Sequence, residues 1–215
     1  MNELWNDLMK ERFLKIGAMK AGGRNPWPND QAPGWTNARA RAAAKGRDPE
    51  ELAATPIRVD VAGRVMGLRR FGKAAFLVLS DRTGRLQAYL KKDHLGEEAY
   101  DLFLKSVDAG DIVWVEGPLF LTRTGELTVA AARFRLLAKA IRPLPEKWHG
   151  LSDVETRYRQ RYVDLIVNED RSAWLICTDG NDGRILHEKI SFTDFPLPEI
   201  RLFLTDRVLL LPSEY

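Results

Sequence analysis

The 215-residue sequence has few of the side chains that build disulfides and metal sites. Cys177 is its single cysteine, so an intrachain disulfide is excluded. Its three histidines, His94, His149 and His187, lie far apart along the chain, and this spacing predicts no metal site. A lone cysteine is also typical of a reducing compartment, so we expect a cytoplasmic protein.

Long apolar runs are missing as well. The longest uncharged apolar run, Ala74 to Leu79, is too short to span a bilayer. The first seven residues lack the charged start and apolar core of a signal peptide. We therefore expect neither membrane insertion nor secretion.

The formal net charge of +3 is small, but the charges are distributed unevenly. Residues 57–150 hold more Lys and Arg than Asp and Glu, whereas residues 151–215 hold more acids than bases. A local positive excess suits a polyanionic partner such as nucleic acid. A solvated surface of mixed charge explains it equally well.

The spacing of apolar residues predicts helices first and strands afterwards. Residues 3–21 predict an amphipathic helix that ends at Gly22-Gly23, and residues 37–47 predict a short basic helix. From Ile57 the apolar period changes to two, which indicates a half-buried strand. Four further strands are predicted near residues 73–80, 84–91, 111–121 and 125–138, with a helix at 95–105. Five strands with a helix after the third are typical of an oligonucleotide-binding (OB) barrel.

We therefore predict a mainly β protein with a five-stranded OB-fold barrel, N-terminal α-helices and an irregular C-terminal extension. The predicted segments are an N-terminal helical segment (1–56), the barrel (57–142), a linker with a junction helix (143–170) and a divergent tail (171–215). The tail has apolar runs without clean periodicity. It is either the unselected end of a truncated or frame-shifted gene product or a small lineage-specific extension.

Strand alternation predicts which side chains face outward from the barrel. With Ala75, Leu77 and Leu79 inward, Phe76 points outward. The same rule turns outward Arg85, Gln87, Tyr89 and Lys91 of the third strand, and Glu126 and Thr128 of the fifth. An outward Phe among amide, carboxylate and basic side chains is typical of a platform on which nucleic acid bases stack. Packing of Phe76 under an N-terminal segment that contains Trp27 and Trp35 is an equally good interpretation.

The polar residues of this face suggest different roles. A carboxylate such as Glu126 repels phosphate, and at an RNA surface it suits a base N–H donor such as uracil N3. The amide of Gln87 can both donate to and accept from base edges. The candidates for phosphate contact are Arg64, Arg69, Arg70, Lys73 and Lys91. Each of these cations is also compatible with an ordinary solvated surface charge.

Residues 1 to about 170 resemble the N-terminal, anticodon-binding part of bacterial class II lysyl-tRNA synthetases. The resemblance rests on the Pro-Asn-Asp sequence at 28–30, on the predicted barrel and on two specific runs, 136–151 and 157–166. It implies a tRNA partner, with Phe76 as the stacking aromatic and with Gln87 and Glu126 as readers of the uracil-rich lysine anticodon. Arg69 lies near these residues in the layout of the family.

The resemblance stops after residue 170. Residues 171–215 show none of the arginine-containing and glycine-rich motifs with which the family holds ATP. We therefore expect no catalytic residue and no cofactor in this chain, although the full-length family uses ATP and Mg²⁺.

Three interpretations stay open. The chain is a module that binds the lysine tRNA anticodon loop, an enzyme fragment that works only with a full-length or catalytic partner chain, or an inert remnant. Besides tRNA, the partner we expect is either a second copy of the chain, in a homodimer, or a full-length synthetase.

Overall fold

The computed structural model describes residues 6–28, 30–145, 155, 159–167, 173–178, 184–190, 203–205 and 208–210. The chain divides into two compact units, Met1–Pro143 and Leu144–Tyr215. Among the described residues, no helix is both long and apolar enough to cross a membrane.

Three helices precede the first strand: α1 (Asp7–Ala21), α2 (Asn37–Ala44) and α3 (Pro49–Ala54). The Asn6 side chain caps α1 by accepting a hydrogen bond from the Met9 amide at 2.9 Å, and α1 ends at Gly22 as predicted. Helix α3 was not predicted from the sequence. Asp48 and Glu51 form a capping box around its first turn, in which each side chain accepts from the other residue's backbone amide.

Six strands follow: β1 (Arg58–Phe71), β2 (Ala74–Asp81), β3 (Gly84–Lys91), β4 (Ile112–Leu121), β5 (Leu127–Ala131) and β6 (Arg133–Ala138). Two helices, α4 (Lys92–Leu95) and α5 (Glu97–Ser106), connect β3 to β4 where one helix was predicted. The predicted fifth strand is divided into β5 and β6 at Ala132, whose amide donates to the Glu116 carbonyl at 2.8 Å.

The strand pairings close a ring. The long β1 pairs with β4 through its first half and with β2 through its second half. Strand β2 pairs with β3, β3 pairs in parallel with β5, and β5 returns to β4. This five-stranded ring is consistent with the predicted OB fold. At Gly117 a Cβ atom would overlap the Ala130 carbonyl, so only glycine allows β4 and β5 to approach so closely there.

The inside of the ring is aliphatic. The residues predicted to point inward from β2 and β3 are all buried: Ala75, Leu77, Leu79, Leu86, Ala88 and Leu90. Tyr100 and Phe103 of α5 belong to the same core, and Phe103 contacts Phe134 of β6 edge to face at 5.6 Å. Each fully buried leucine or phenylalanine side chain of this core stabilises the fold by roughly 1.5 to 3 kcal/mol.

A buried polar cluster ties α1 to the barrel. Arg12 of α1 is only 7% exposed and donates to the backbone carbonyls of Ala109, Ala140 and Arg142. The Lys139 ammonium donates to Asp108 at 2.5 Å and to Asp111 at 2.7 Å.

The second unit contains helix α6 (Arg161–Val167) and strands β7 (Ala173–Thr178), β8 (Arg184–Ile190), β9 (Phe203–Thr205) and β10 (Val208–Leu210). β7 pairs antiparallel with β8, and β9 pairs antiparallel with β10. The prediction of an irregular extension is therefore wrong for these stretches. Of the predicted linker and junction helix (143–170), residues 146–154 lie outside the described residues, and residues 161–167 form α6.

Candidate nucleic-acid interface

Four aromatic side chains form a continuous stripe on the outside of the ring. Phe76 of β2 stacks at a tilt against Tyr89 of β3, with 4.7 Å between ring centroids. Phe71 of β1 meets the edge of Phe76 at 6.3 Å, and Phe120 of β4 meets Tyr89 at 6.2 Å. We call Phe71, Phe76, Tyr89 and Phe120 the aromatic stripe. Its four rings come from four of the five strands of the ring, β1, β2, β3 and β4.

The register places the polar candidates around this stripe. One row across the sheet runs Arg69, Phe76, Tyr89, Ala130. The next row runs Val78, Gln87, Thr128, Phe120. Gln87 is therefore a diagonal neighbour of Phe76, and Arg69 is the direct cross-strand partner of Phe76.

The environment of Phe76 bears on the alternative that it packs beneath the N-terminal tryptophans. Phe76 is partly exposed, and the described rings in contact with it are Phe71 and Tyr89. The Trp27 indole N–H donates to the Lys139 carbonyl at 3.0 Å, and Trp35 lies under the Arg39 guanidinium at 4.1 Å. Both tryptophans therefore have partners elsewhere, and Phe76 and Tyr89 both stay partly exposed.

Glu126 and Thr128 differ in exposure. Glu126 is exposed, and its carboxylate has no hydrogen bond or ion pair among the described residues. Thr128 was expected on the outer surface, but it is 0% exposed, so that expectation is wrong. Its strand lies between β3 and β4, where its cross-strand neighbours Gln87 and Phe120 flank it. Its hydroxyl lies 2.9 Å from Gln87 Oε1.

Two of the predicted cations are free to meet a ligand. Arg69 and Lys73 are exposed, and neither side chain has a hydrogen bond or ion pair within the described part of the chain. Arg69 lies in the row of Phe76, and Lys73 lies in the turn that joins β1 to β2. Phosphate contact by these two residues stays a prediction.

The other three predicted cations already have partners. Arg64 donates to the Gly110 carbonyl at 2.8 Å, and Lys91 forms an ion pair with Asp93 at 2.9 Å that raises the pKa of Lys91. Arg70 donates to the Val107 carbonyl at 2.7 Å and lies over the Phe103 ring. Since Arg70 is level with the inward-facing Ala75, it does not share the face of Phe76.

Three rings of the aromatic stripe, Phe71, Tyr89 and Phe120, were not among the site residues predicted from the sequence. Tyr89 had already been placed on the outer face by strand alternation. The same rule applied to β4 would have found Phe120, because the preceding Leu119 is buried. Phe71 is 60% exposed, but it follows a register shift between Val65 and Gly67. Alternation counted from the start of β1 would therefore place Phe71 on the inner face.

No group of three or more His, Cys, Asp or Glu residues within the described ranges could hold a metal ion.

Comparison with known proteins identifies two segments of the chain. Residues 59–137 match a tRNA anticodon family model described as an OB-fold nucleic acid binding domain. Residues 148–215 match a family of unknown function, a match that the sequence analysis did not anticipate.

Among curated proteins the chain is similar to lysine–tRNA ligases. It is 48% identical to the enzyme of Magnetococcus marinus over 165 residues, and these residues make up 77% of this chain and 33% of the relative. The enzyme of Anaeromyxobacter sp. strain K is 49% identical over 161 residues, 75% of this chain and 31% of the relative. That of Thermosipho melanesiensis is 43% identical over 164 residues. The chain spans about a third of the length of these relatives. Residues 59–137 thus form an OB-fold nucleic acid binding domain, and about three quarters of the chain is homologous to lysine–tRNA ligases.

Proposed function

We propose that the chain binds the anticodon loop of a lysine tRNA on the outer face of its barrel. The observation that carries this proposal is the partly exposed Phe76–Tyr89 pair, with Arg69 beside it, Gln87 in the next row and the exposed Glu126 just before β5. The match to an OB-fold nucleic acid binding domain and the similarity to lysine–tRNA ligases support it.

The aromatic stripe supplies the stacking surface. Bases in an anticodon loop are unpaired, so their flat faces are free to stack on aromatic rings. Each stacked base contributes roughly 1 to 3 kcal/mol, largely regardless of its identity. The stripe extends over four rings, which gives room for more than one base. Affinity then comes from stacking, with Arg69 and Lys73 placed to meet phosphates.

Discrimination between bases falls to Gln87 and Glu126. The Glu126 carboxylate accepts only, so it fits the N3–H of uracil and opposes the unprotonated N3 of cytosine. Because Glu126 has no described partner to give up, the main free-energy cost of binding a base donor is the loss of hydration of its carboxylate. The face is therefore suited to the uracil-rich anticodon of a lysine tRNA.

A titration of a lysine tRNA anticodon stem-loop into the wild type and the Phe76→Ala variant tests the proposal. We expect the variant to lose roughly 1 to 3 kcal/mol, which is about a 5- to 150-fold weaker Kd. Phe13→Ala removes a ring that is 54% exposed, and so more exposed than Phe76, from α1 outside the aromatic stripe, and we expect it to bind like the wild type. Equal binding by Phe76→Ala and the wild type would refute the proposal.

The proposal needs no cofactor, and it leaves catalysis to proteins that carry the ATP motifs. Self-association, and association with a full-length synthetase, stay predictions of the sequence.

A further inference from the structure

We propose that Thr128 is a positioning residue that orients the side-chain amide of Gln87 and thereby sets the base preference of this face. The inference rests on the proposed function. It concerns a residue that touches no ligand itself, because Thr128 is 0% exposed.

The geometry around the Thr128 hydroxyl decides the orientation. Its Oγ1 lies 2.9 Å from Gln87 Oε1 and 3.1 Å from the Glu126 carbonyl oxygen. A hydroxyl carries one hydrogen, so it donates fully to one of them. The Glu126 carbonyl already accepts from the Thr122 amide at 3.0 Å, whereas Gln87 Oε1 has no other described donor. Donation to Gln87 Oε1, which is the nearer of the two oxygens, gives each oxygen one donor, and we infer that the hydroxyl favours this arrangement.

This hydrogen bond determines which atoms Gln87 presents to a ligand. With Oε1 held by Thr128, the two N–H donors of Nε2 are directed away from β5 and toward the surface. The opposite orientation would place Oε1 at the surface, where it would accept from the amino group of cytosine or adenine. Because Thr128 is buried, water cannot replace its hydroxyl as the donor.

Gln87 and Glu126 then form a complementary pair. Gln87 offers donors only, and Glu126 offers acceptors only. Glu126 immediately precedes β5 and lies two residues before Thr128, the register partner of Gln87, so the Cα atoms of Glu126 and Gln87 are roughly 8 Å apart. A base edge fits between side chains at that spacing.

The pair favours a keto oxygen next to a protonated ring nitrogen. Uracil has this arrangement in O4 and N3–H, and guanine has it in O6 and N1–H. Cytosine has an amino group and an unprotonated nitrogen at the same places, so it is mismatched at both contacts. The preference for uracil over cytosine therefore depends on a side chain beneath the surface.

Two variants at this position isolate the hydroxyl. Thr128→Val keeps the shape and β-branching of the side chain but removes the hydroxyl, and Thr128→Ser keeps the hydroxyl. Fluorescently labelled lysine tRNA anticodon stem-loops with U or C at the central position serve as ligands. We expect the ratio of the two Kd values to fall roughly five-fold in Thr128→Val, which is the effect of one net hydrogen bond. In Thr128→Ser the ratio stays within about two-fold of the wild type.

The outcomes separate this inference from the function on which it rests. If the wild type fails to bind either stem-loop, the proposed function fails. If the wild type binds and Thr128→Val keeps the wild-type ratio, the positioning role is refuted. A wild type that prefers C over U also refutes it, since Gln87 would then present its oxygen. Thermal melting checks that Thr128→Val folds, and Thr128→Ala is the second hydroxyl-free variant if it does not.

Discussion

The ammonium of Lys139 is a buried charge whose removal has a predictable cost. Its side chain and that of Asp111 are both 0% exposed, and their ion pair measures 2.7 Å. Asp108, whose side chain is 19% exposed, is the second partner at 2.5 Å. We predict that Lys139→Met destabilises the protein by about 3 to 5 kcal/mol, because the Asp111 carboxylate stays buried without its counter-charge.

The contacts that remain in the variant place the effect at the lower end of that range. Asp111 still accepts from the backbone amides of Asp108 and Ala140, each at 2.8 Å. The backbone of Lys139 still bonds to Pro26 and Trp27. Methionine is flexible enough to fill most of the space left by the lysine stem. We therefore expect a loss of about 3 kcal/mol at neutral pH.

The loss of stability caused by Lys139→Met should shrink on acidification. In the wild type, burial works to raise the pKa of Asp108, but hydrogen bonds from Lys139 and Lys15 outweigh it and hold that pKa below its usual value. This stabilisation is present at neutral pH and is lost as the pH falls through the lowered pKa. Burial raises the pKa of Asp111, so this group instead favours folding at low pH, and that contribution is lost as the pH rises through the raised pKa. Without Lys139 both pKa values move upward. Protonation then relieves the buried charge, so the deficit of the variant relative to the wild type shrinks as the pH falls.

Urea unfolding at neutral and acidic pH, followed by tryptophan fluorescence, measures both effects. Lys10→Met is the matched control. It breaks the ion pair with Asp7, in which the side chains are 57% and 99% exposed, and we expect a change within about 0.5 kcal/mol. A loss below about 1 kcal/mol for Lys139→Met at neutral pH would contradict the reasoning, as would a deficit that grows on acidification.

Two further predictions concern the RNA face. Glu126→Gln should reduce discrimination between U and C at the central anticodon position more than it reduces affinity, because it removes a strong acceptor together with one repulsive charge. Competition binding with the two stem-loops measures this, and unchanged discrimination would show that Glu126 does not read the base. Arg69→Ala should weaken all RNAs alike and lower the slope of log affinity against log salt by roughly 0.7. Arg64→Ala should change that slope less, since its guanidinium already donates to the Gly110 carbonyl, and equal effects of the two variants in salt titrations would contradict this.

Strand alternation made the outer face predictable from the sequence. In β2 and β3 every second residue is a buried aliphatic, so the intervening Phe76, Gln87 and Tyr89 had to face outward. Helix α3 was equally accessible, because Asp48 followed by Pro49 and Glu51 is a recognised helix start.

Other features depend on tertiary structure that alternation does not encode. Thr128 has outward parity, yet its neighbours on β3 and β4 bury it, and only the strand order brings them together. The hydrogen bonds of Arg64 and Arg70 go to carbonyls about 40 residues away, so no local pattern could assign them. In the tail, β7 is a short and mostly apolar run without alternation, which does not distinguish a strand from other buried structure.

The same alternation separates binding from stability in this barrel. The inward residues of β2 and β3 supply the core, so exposed positions such as Arg69 and Glu126 can change without opening a cavity. Thr128 is the exception, because it has the parity of the binding face and the burial of the core. A substitution there could affect both properties, and the Val and Ser variants differ in which one they keep. If base preference follows the hydroxyl while stability follows the packed volume, the specificity of this surface originates one layer beneath it.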